Sequence, residues 1–419
     1  MKLQPLRFFL LSALIVLPTQ IHAGAWFWEI ARNNQRVQRK WRSPHIKWRI
    51  NETNAPAGAQ DMVLQAFRTW EQEAHSTISD EYIGTTDNDT PKVDGYTDIF
   101  FNVPMSSVGA PTNAVAITLL NASLSSPSSS KDSWIVEADI LINPSLVPQL
   151  IMTAGTDPSD LDLLEILTHE LGHAFGLAHS FLIDSIMYPA KPESSTAPSI
   201  KSLFRVPKRS LSQDDSAWMS MLYPVSDFEE TTAQISGQVT TNQNGFTGAH
   251  VIAVKTDESD LSFNFTSLSS GDFLVVKGMK NVSAFSEVDG KFLIKGLEPG
   301  DYRVLVQDGS KFMGFTLSNI NTYLALKKSS GSFPLQTWKN PDCTTESTIT
   351  ESNLNTLYNA STSFSVPANR GYCDINIVAH TGVSYCAGQA SERDRCEGGG
   401  GCSLSVQNRR HPVALLISS

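Results

Sequence analysis

The chain has 419 residues, of which 18% are charged and 41% hydrophobic, and its formal net charge is −10. At roughly 150 residues per domain, this length predicts two or three domains with packed cores. The acidic balance argues against a nucleic-acid-binding protein, which needs a basic face. A single short apolar run likewise excludes a membrane protein with several spans.

That apolar run, residues 8–18, lies near the N-terminus. It follows Lys2 and Arg7 and precedes small residues that begin at Ala23. Basic residues, about a dozen apolar ones and a small-residue cleavage site are typical of a secretory signal peptide. A membrane anchor is the alternative, but the run is too short to span a bilayer comfortably. We therefore expect residues 1–23 to be a signal peptide, no transmembrane segment after its removal, and a secreted, extracellular or periplasmic location.

Residues 40–225 combine strand and helix patterns behind a basic, tryptophan-containing flank at 24–39. The flank is interpreted as a solvated lead into the first strand rather than as a surface for a membrane or an acidic partner. Alternating apolar residues predict a strand over 45–50. A first helix is predicted next, and then three strands in short runs rich in Ile, Val, Phe and Leu. The helical positions are Val63, Phe67, Trp70 and Ala74, and the strands are 98–102, 114–118 and 135–142.

Two further helices in this region are predicted from capping patterns. Ser159 with Asp162 resembles a capping box in front of a leucine-rich stripe that ends at Gly176. Ser212 with Asp215 repeats the pattern before a third helix. The acidic, irregular stretch after that helix marks a domain boundary. The fold class expected for the chain is α+β with more than one domain.

Over residues 233–310 the sequence pattern changes to that of short strands separated by glycine turns. Asp289-Gly290 and Pro299-Gly300 are turn signals between alternating segments, so an all-β sandwich is predicted. Residues 311–419 lack a strong periodicity, and their fold is not predicted. They contain all five cysteines, which in an exported protein are expected to form disulfides rather than a metal site, with the pairing open and one left over. These are Cys343, Cys373, Cys386, Cys396 and Cys402.

Residues 168–179 read Thr-His-Glu-Leu-Gly-His-Ala-Phe-Gly-Leu-Ala-His. His169 and His173 are four residues apart, so on a helix their rings project from one face and can occupy two corners of a zinc tetrahedron. Gly176 can end the helix with a positive φ, which lets His179 return as a third ligand. Three nitrogen ligands leave a fourth position for water, and this is typical of a catalytic zinc.

The segment resembles the extended zinc motif of the metzincin metallopeptidases, His-Glu-x-x-His-x-x-Gly-x-x-His. The second mark of that family is a methionine turn beneath the zinc, and here Met187 stands in Ser-Ile-Met-Tyr-Pro shortly after the third histidine. The resemblance implies a metzincin-type catalytic domain at 40–225, with a twisted mixed sheet and three helices. It also implies that Glu170 acts as the catalytic base and that Met187 forms an apolar floor below the metal.

Within the metzincins the chain is most similar to the matrixin branch, in a short, bacterial-type form. Ser180 directly after the third histidine, the Ile-Met-Tyr-Pro turn and the helix from Leu211 to Tyr223 carry this similarity. Animal matrixins use a propeptide cysteine to cap the zinc, but no cysteine precedes Cys343, so thiol-switch latency is not expected. Residues 233–310 resemble the carboxypeptidase regulatory-like, transthyretin-type β-sandwich, a class of module that usually acts as a spacer or binding platform.

These features predict a secreted zinc-dependent endopeptidase that hydrolyses internal peptide bonds of proteins and uses one catalytic Zn²⁺. His169, His173 and His179 would hold the metal, and Glu170 would accept the proton of the zinc-activated water. The alternative is a non-catalytic extracellular binding or adhesion protein with a vestigial zinc site, which would have no need for Glu170. No motif supports a Ca²⁺ site. The expected partners are protein or peptide substrates and not nucleic acid, and the sequence specifies neither the cleavage preference nor the oligomeric state.

Overall fold

The computed structural model describes residues 28–30, 36–124, 133–189, 191, 201, 204–241, 244–259, 261–268, 271–286, 290–309, 336–337, 358–359, 363–368, 371–378 and 388–389. The predicted signal peptide lies outside these residues, as do Cys343, Cys386, Cys396 and Cys402. Cys373 is on a strand, but its side chain is not among those described. None of the described helices combines the length and the apolar character needed to cross a bilayer.

A mixed seven-stranded sheet forms the N-terminal half of the fold. Six of its strands follow the order β1-β2-β7-β5-β3-β4. The seventh strand, β6, pairs with β7 along its whole length, whereas β2 and β5 pair with opposite ends of β7. The β6–β7 and β1–β2 pairs are antiparallel, and the remaining pairs are parallel. The strands are β1 (Trp28–Ile30), β2 (Arg36–Trp41), β3 (His45–Ile50), β4 (Ser79–Thr85), β5 (Thr97–Phe100), β6 (Ala116–Leu124) and β7 (Ser133–Ile142).

Two helices, α1 (Ala59–Glu71) and α2 (Leu163–Phe175), pack against this sheet and against each other. Their core side chains include Phe67, Trp70 and Phe175, which join those of the sheet in one buried cluster. Short strands β8 (Leu150–Ile151) and β9 (Leu161–Asp162) precede α2. Helices α3 (Gln213–Leu222) and α4 (Phe228–Thr231) follow it, and two 3₁₀ turns span Met105–Val108 and Val147–Gln149.

Few helices and several sheets agree with the mixed class predicted from the sequence, but some element ends differ. The prediction that α2 opens near Ser159 is wrong. Asp162 is the N-cap, because its carboxylate accepts from the N–H groups of Leu164 and Glu165. Ser159 instead donates its N–H and hydroxyl to Asp157 Oδ1 within the preceding turn. The strands predicted at 98–102, 114–118 and 135–142 lie at 97–100, 116–124 and 133–142.

Helix α1 also ends before Ala74, which was predicted as part of its apolar stripe. The backbone turns after Gln72, and the carbonyl oxygen of His75 then accepts from the N–H of Val225 at 3.1 Å. Because pairing with the segment after α3 satisfies this backbone, it does not continue as helix. The predicted capping box of α3 is present, with Ser212 and Asp215 bonded reciprocally.

The C-terminal half contains two five-stranded sheets that share one hydrophobic core, which we call the two-sheet unit. One sheet has the order β11-β10-β20-β21 with β16 on β10, and the other has β15-β12-β17-β18 with β19 on β17. A separate hairpin, β13–β14, is attached to it. The description of residues 233–310 as a carboxypeptidase regulatory-like sandwich stays a prediction. The strands are β10 (Ala233–Thr241), β11 (Asn244–Gly245), β12 (Ala249–Lys255), β13 (Ser262–Leu268), β14 (Gly271–Lys277), β15 (Val282–Phe285), β16 (Lys291–Leu297), β17 (Gly300–Asp308), β18 (Gln336–Thr337), β19 (Phe364–Val366), β20 (Gly371–Val378) and β21 (Gly388–Gln389).

Candidate metal centre and active site

Helix α2 and the turn after it bring three histidines together. His169 and His173 lie one helical turn apart on α2, and Gly176 ends the helix at φ 111°. A Cβ at Gly176 would lie 2.7 Å from the carbonyl oxygen of Arg39, so both the backbone conformation and the close approach require glycine here. The chain then reverses, and His179 faces the two helical rings. The candidate ligand atoms of the three histidines all lie within 4.8 Å of one another.

The hydrogen bonds of two rings define which nitrogen faces a metal. His169 Nδ1 donates to the carbonyl oxygen of Ile186 at 2.7 Å, and His173 Nδ1 donates to that of Leu177 at 2.8 Å. Because a carbonyl oxygen can only accept, each Nδ1 carries a proton, which leaves Nε2 as the nitrogen of each ring that could bind a metal. Donation from the second ring nitrogen to a carbonyl is the usual way in which proteins orient a histidine ligand.

The donor set fits a zinc ion. His173 Nε2 and His179 Nε2 are 3.1 Å apart. Two nitrogen ligands at corners of a tetrahedron around zinc lie about 3.3 Å apart, given Zn–N bonds of about 2.0–2.1 Å. Three neutral imidazoles are a ligand set of catalytic rather than structural zinc sites. The three residues could therefore hold Zn²⁺.

Glu170 is the one carboxylate of the zinc motif, and it is 5% exposed. Thr118 on β6 lies beside it, with its hydroxyl oxygen 2.6 Å from Glu170 Oε2 and 2.9 Å from the Glu170 carbonyl oxygen. Burial raises the pKa of the Glu170 carboxyl, while His169 and the Thr118 hydroxyl act in the opposite direction. The side chain is therefore held in one place, next to the first histidine.

Met187 packs against the helix that carries His169 and His173. It is 2% exposed, and a Cβ added to Gly172 would lie 2.3 Å from Met187 Sδ and 2.9 Å from Trp70 Cζ2. Position 172 therefore favours glycine for a steric reason, because any side chain there would displace the methionine. The indole N–H of Trp70 also donates to the carbonyl oxygen of Thr168 at 2.8 Å, which fixes α1 against α2.

Asp215 in the first turn of α3 holds the turn around Met187. Its carboxylate accepts from the N–H of Ile186 at 2.8 Å, from the N–H of Met187 at 3.2 Å and from the hydroxyl of Ser185. It also accepts from the N–H and the hydroxyl of Ser212, which is its capping-box partner. One buried carboxylate thus caps α3 and fixes the methionine turn.

Sequence reasoning missed the roles of Thr118 and Asp215 at this site. The Ser212–Asp215 pattern indicated the helix cap, but nothing in it pointed to Ser185, Ile186 or Met187. For Thr118 the sequence carries no signal, since only the pairing of β6 with β7 brings it beside α2.

Comparison with known proteins points to the same class as the geometry. The matrixin family model matches residues 128–224, which include the three histidines and the methionine turn. The chain is also similar to stromelysin-2 of Rattus norvegicus, with 26% identity over 243 residues, or 57% of this chain and 42% of that protein. The chain thus spans less than half the length of this relative. Matrixins are zinc-dependent, and the matches together with the histidine triad support a matrixin-type metallopeptidase.

Proposed function

We propose that this protein is a secreted zinc-dependent endopeptidase that hydrolyses internal peptide bonds of proteins. His169, His173 and His179 hold one catalytic zinc ion, and Glu170 is the general base. The observation that carries the proposal is the convergence of three histidine nitrogens beside one fixed carboxylate. Secretion rests on the N-terminal pattern of residues 1–23 alone.

A zinc ion held by the three histidines would act as a Lewis acid that lowers the pKa of a water molecule and polarises the carbonyl group of the peptide bond. Glu170 accepts the proton of the attacking water and then delivers it to the amine that leaves. General base catalysis of this kind is typically worth about 10²–10⁴-fold in rate. Thr118 orients the carboxylate through its hydroxyl, and Met187 shapes the apolar floor under the histidines.

The position of β6 supports an extended polypeptide as substrate. The strand pairs antiparallel with β7, and among the described residues no strand pairs with its other edge. Thr118 on this strand touches Glu170, so the edge runs past the candidate catalytic carboxylate. An extended chain can add to such an edge through backbone hydrogen bonds, which favours protein or peptide substrates over small molecules.

A non-catalytic binding or adhesion protein with a vestigial zinc site is the competing function. Such a protein has no use for a carboxylate beside the first ligand. Here Glu170 is present, buried and hydrogen-bonded to Thr118. This favours the enzyme.

The test is metal-dependent proteolysis by the purified full chain. We expect about one zinc per chain and cleavage of a denatured protein such as gelatin, with loss of cleavage after chelation and recovery on adding Zn²⁺. A chain that binds zinc but cleaves no denatured protein would favour the binding function. Cleavage that survives complete removal of zinc would contradict the proposed mechanism.

A further inference from the structure

Helix α3 belongs to two hydrophobic cores at once. Met219 and Leu222 pack in the core of the N-terminal sheet, α1 and α2, whereas Ala217 packs in the core of the two-sheet unit. The second contact is tight, because a Cβ on Gly296 of β16 would lie 2.9 Å from Ala217 Cα. Independent modules in one chain usually meet through small and rather polar interfaces. The two-sheet unit is instead packed onto the same helix whose Asp215 holds the methionine turn.

The segment between the third histidine and the methionine also reaches this unit. We call residues 180–187 the metal-site segment, because it follows His179 and ends at Met187. Its N-terminal end is tied to its C-terminal end by a hydrogen bond from the Ser180 N–H to the Met187 carbonyl oxygen at 2.9 Å. A displacement of Ser180 would therefore move both the adjacent ligand and the methionine.

Asp214 links the start of the segment to the two-sheet unit. Its carboxylate is fully buried. Oδ2 accepts from the Ser180 hydroxyl at 2.5 Å, and Oδ1 accepts from the N–H of Ser283 on β15 at 2.8 Å. A buried carboxylate needs hydrogen-bond donors, and these two come from opposite sides of the interface. Asp214 therefore loses a donor if either the segment or the two-sheet unit moves away.

Asp184 makes a second link from the middle of the segment. It is 5% exposed, and its Oδ2 accepts from the N–H of Gly278, next to β14, at 2.7 Å. Its Oδ1 accepts from Lys208 Nζ at 2.9 Å, on the side of the N-terminal half. This carboxylate also joins the two halves of the fold.

An aromatic contact lies between the two carboxylate links. The ring of Phe181 meets that of Phe285 edge to face, with centroids 5.0 Å apart. The ring of His250 stacks on Phe285, with centroids 4.9 Å apart. Phe181 is 4% exposed, so its ring is buried against the strands β12 and β15 that carry these partners. Both polar and apolar contacts thus hold the metal-site segment on the two-sheet unit.

We infer that the two-sheet unit is a positioning element of the metal centre, which holds the metal-site segment so that His179 and Met187 take their places. Ser283 and Phe285 on β15, and Gly278 in the segment that leads into β15, are the residues that make the contacts. The inference rests on the proposed function, since it assigns the unit a role at the zinc site. It replaces the role of spacer or binding platform that the sequence resemblance implied for residues 233–310.

The first test measures zinc release from the full chain to a chromophoric chelator. Phe285→Leu and Asp214→Ala are each expected to release zinc about 10–100-fold faster than the parent, which is the usual effect of removing a group that orients a metal ligand. The matched control is Phe292→Leu. Phe292 is a buried phenylalanine in the core of the same unit, and that core includes no residue of the metal-site segment. The control is expected to keep the parental rate.

Asp214→Asn separates hydrogen bonding from charge. The asparagine oxygen can accept from the Ser283 N–H, and its amide can donate to the Ser180 hydroxyl oxygen. We therefore expect Asp214→Asn to release zinc at nearly the parental rate, unlike Asp214→Ala. Fast release by both Asp214 variants would show that the links described here are not what holds the segment.

A second measurement uses the unmodified chain and so does not depend on whether a variant folds. Because coupling between two equilibria is reciprocal, zinc removal must weaken the contacts that stabilise zinc binding. Amide hydrogen exchange of Gly278 and Ser283 is expected to speed up about 10-fold or more after chelation, while that of Val304 and Val306 on β17 stays unchanged. Equal exchange with and without zinc would overturn the inference.

The outcomes distinguish this inference from the proposed function. If the parent binds zinc and cleaves protein but both Phe285→Leu and Asp214→Ala release zinc at the parental rate, the positioning role is wrong and the enzyme assignment stands. If the parent binds no zinc, the proposed function fails, and the positioning role fails with it.

Discussion

The hydroxyl oxygen of Thr118 lies 2.6 Å from Oε2 of Glu170, so a residue of the sheet fixes the carboxylate proposed as the catalytic base. The two residues are 52 positions apart in the chain. The contact joins the strand proposed to bind the substrate to the helix proposed to bind the metal. A single side chain thus links the proposed substrate strand to the proposed base.

We expect Thr118→Val to lower kcat about 10-fold or more. The valine keeps the shape of threonine but removes a hydrogen bond to a carboxylate, worth about 1.5–3 kcal/mol, and about 1.4 kcal/mol corresponds to a factor of ten. Thr118→Ser keeps the donor and is the matched control. Steady-state kinetics on a peptide, with zinc content measured in parallel, checks this. Parental kcat in the valine variant at equal zinc content would show that Glu170 does not depend on this bond.

Gly172→Ala tests the contact between α2, the helix proposed to bind zinc, and Met187. Alanine favours a helix over glycine by about 1 kcal/mol, but overpacking a core costs about 1–3 kcal/mol. Because the new Cβ would lie 2.3 Å from Met187 Sδ and 2.9 Å from Trp70 Cζ2, we expect the second effect to win and the chain to lose up to about 2 kcal/mol of stability.

The measurement is urea unfolding of the zinc-loaded chain. The double variant Gly172→Ala with Met187→Ala supplies the control, since removing the methionine side chain opens space for the new methyl group. Its loss of stability should be smaller than the sum of the two single losses. Additive losses, or a stabilised Gly172→Ala, would mean that the methionine does not press on the helix.

The three candidate ligands were predictable because their relation is local. A spacing of four residues on a helix and a glycine that reverses the chain determine where His169, His173 and His179 point. Thr118 was not predictable, because it reaches α2 only through the pairing of β6 with β7. Asp214 was not predictable either, since its partners Ser180 and Ser283 lie 34 and 69 positions away in the chain.

The start of α2 was misplaced for a different reason. Ser159 and Asp162 are both residue types that favour an N-cap, so the sequence offered two candidates within one helical turn. In the structure Ser159 is bonded to Asp157, and Arg209 pairs with the Asp162 carboxylate at 2.8 Å. Tertiary contacts to a distant arginine therefore favour Asp162 as the cap. The predicted apolar stripe is confirmed from Leu164 to Phe175, whereas Leu161, its predicted first residue, lies on β9.

Asp139 on β7 predicts a pH dependence of stability. Burial raises the pKa of its carboxyl to about 8, against about 4 in an unfolded chain. Between these values the folded chain keeps a proton that the unfolded chain has released, so the stability contributed by this group falls as the pH rises. Each pH unit in this window is worth up to about 1.4 kcal/mol.

Asp139→Asn has no proton to lose, so its unfolding lacks the pH dependence of this carboxyl group. We expect the free energy of unfolding of the variant, relative to the parent, to increase steadily from about pH 4 to pH 8. The carboxylate accepts from the backbone N–H groups of Asp98 and Lys92, and any cost of weakening these bonds is a constant offset. Urea unfolding at a series of pH values measures the difference. Parallel curves would mean that Asp139 is ionised in the folded chain.

The most direct test of the proposed chemistry compares the parent with Glu170→Gln. The glutamine keeps the shape of the side chain and an oxygen that can accept from Thr118, but it cannot take a proton from water. We expect the variant to bind about one zinc per chain, as the parent does, and to cleave a denatured protein about 10²–10⁴-fold more slowly. Cleavage at the parental rate by the zinc-loaded Glu170→Gln chain would contradict the account.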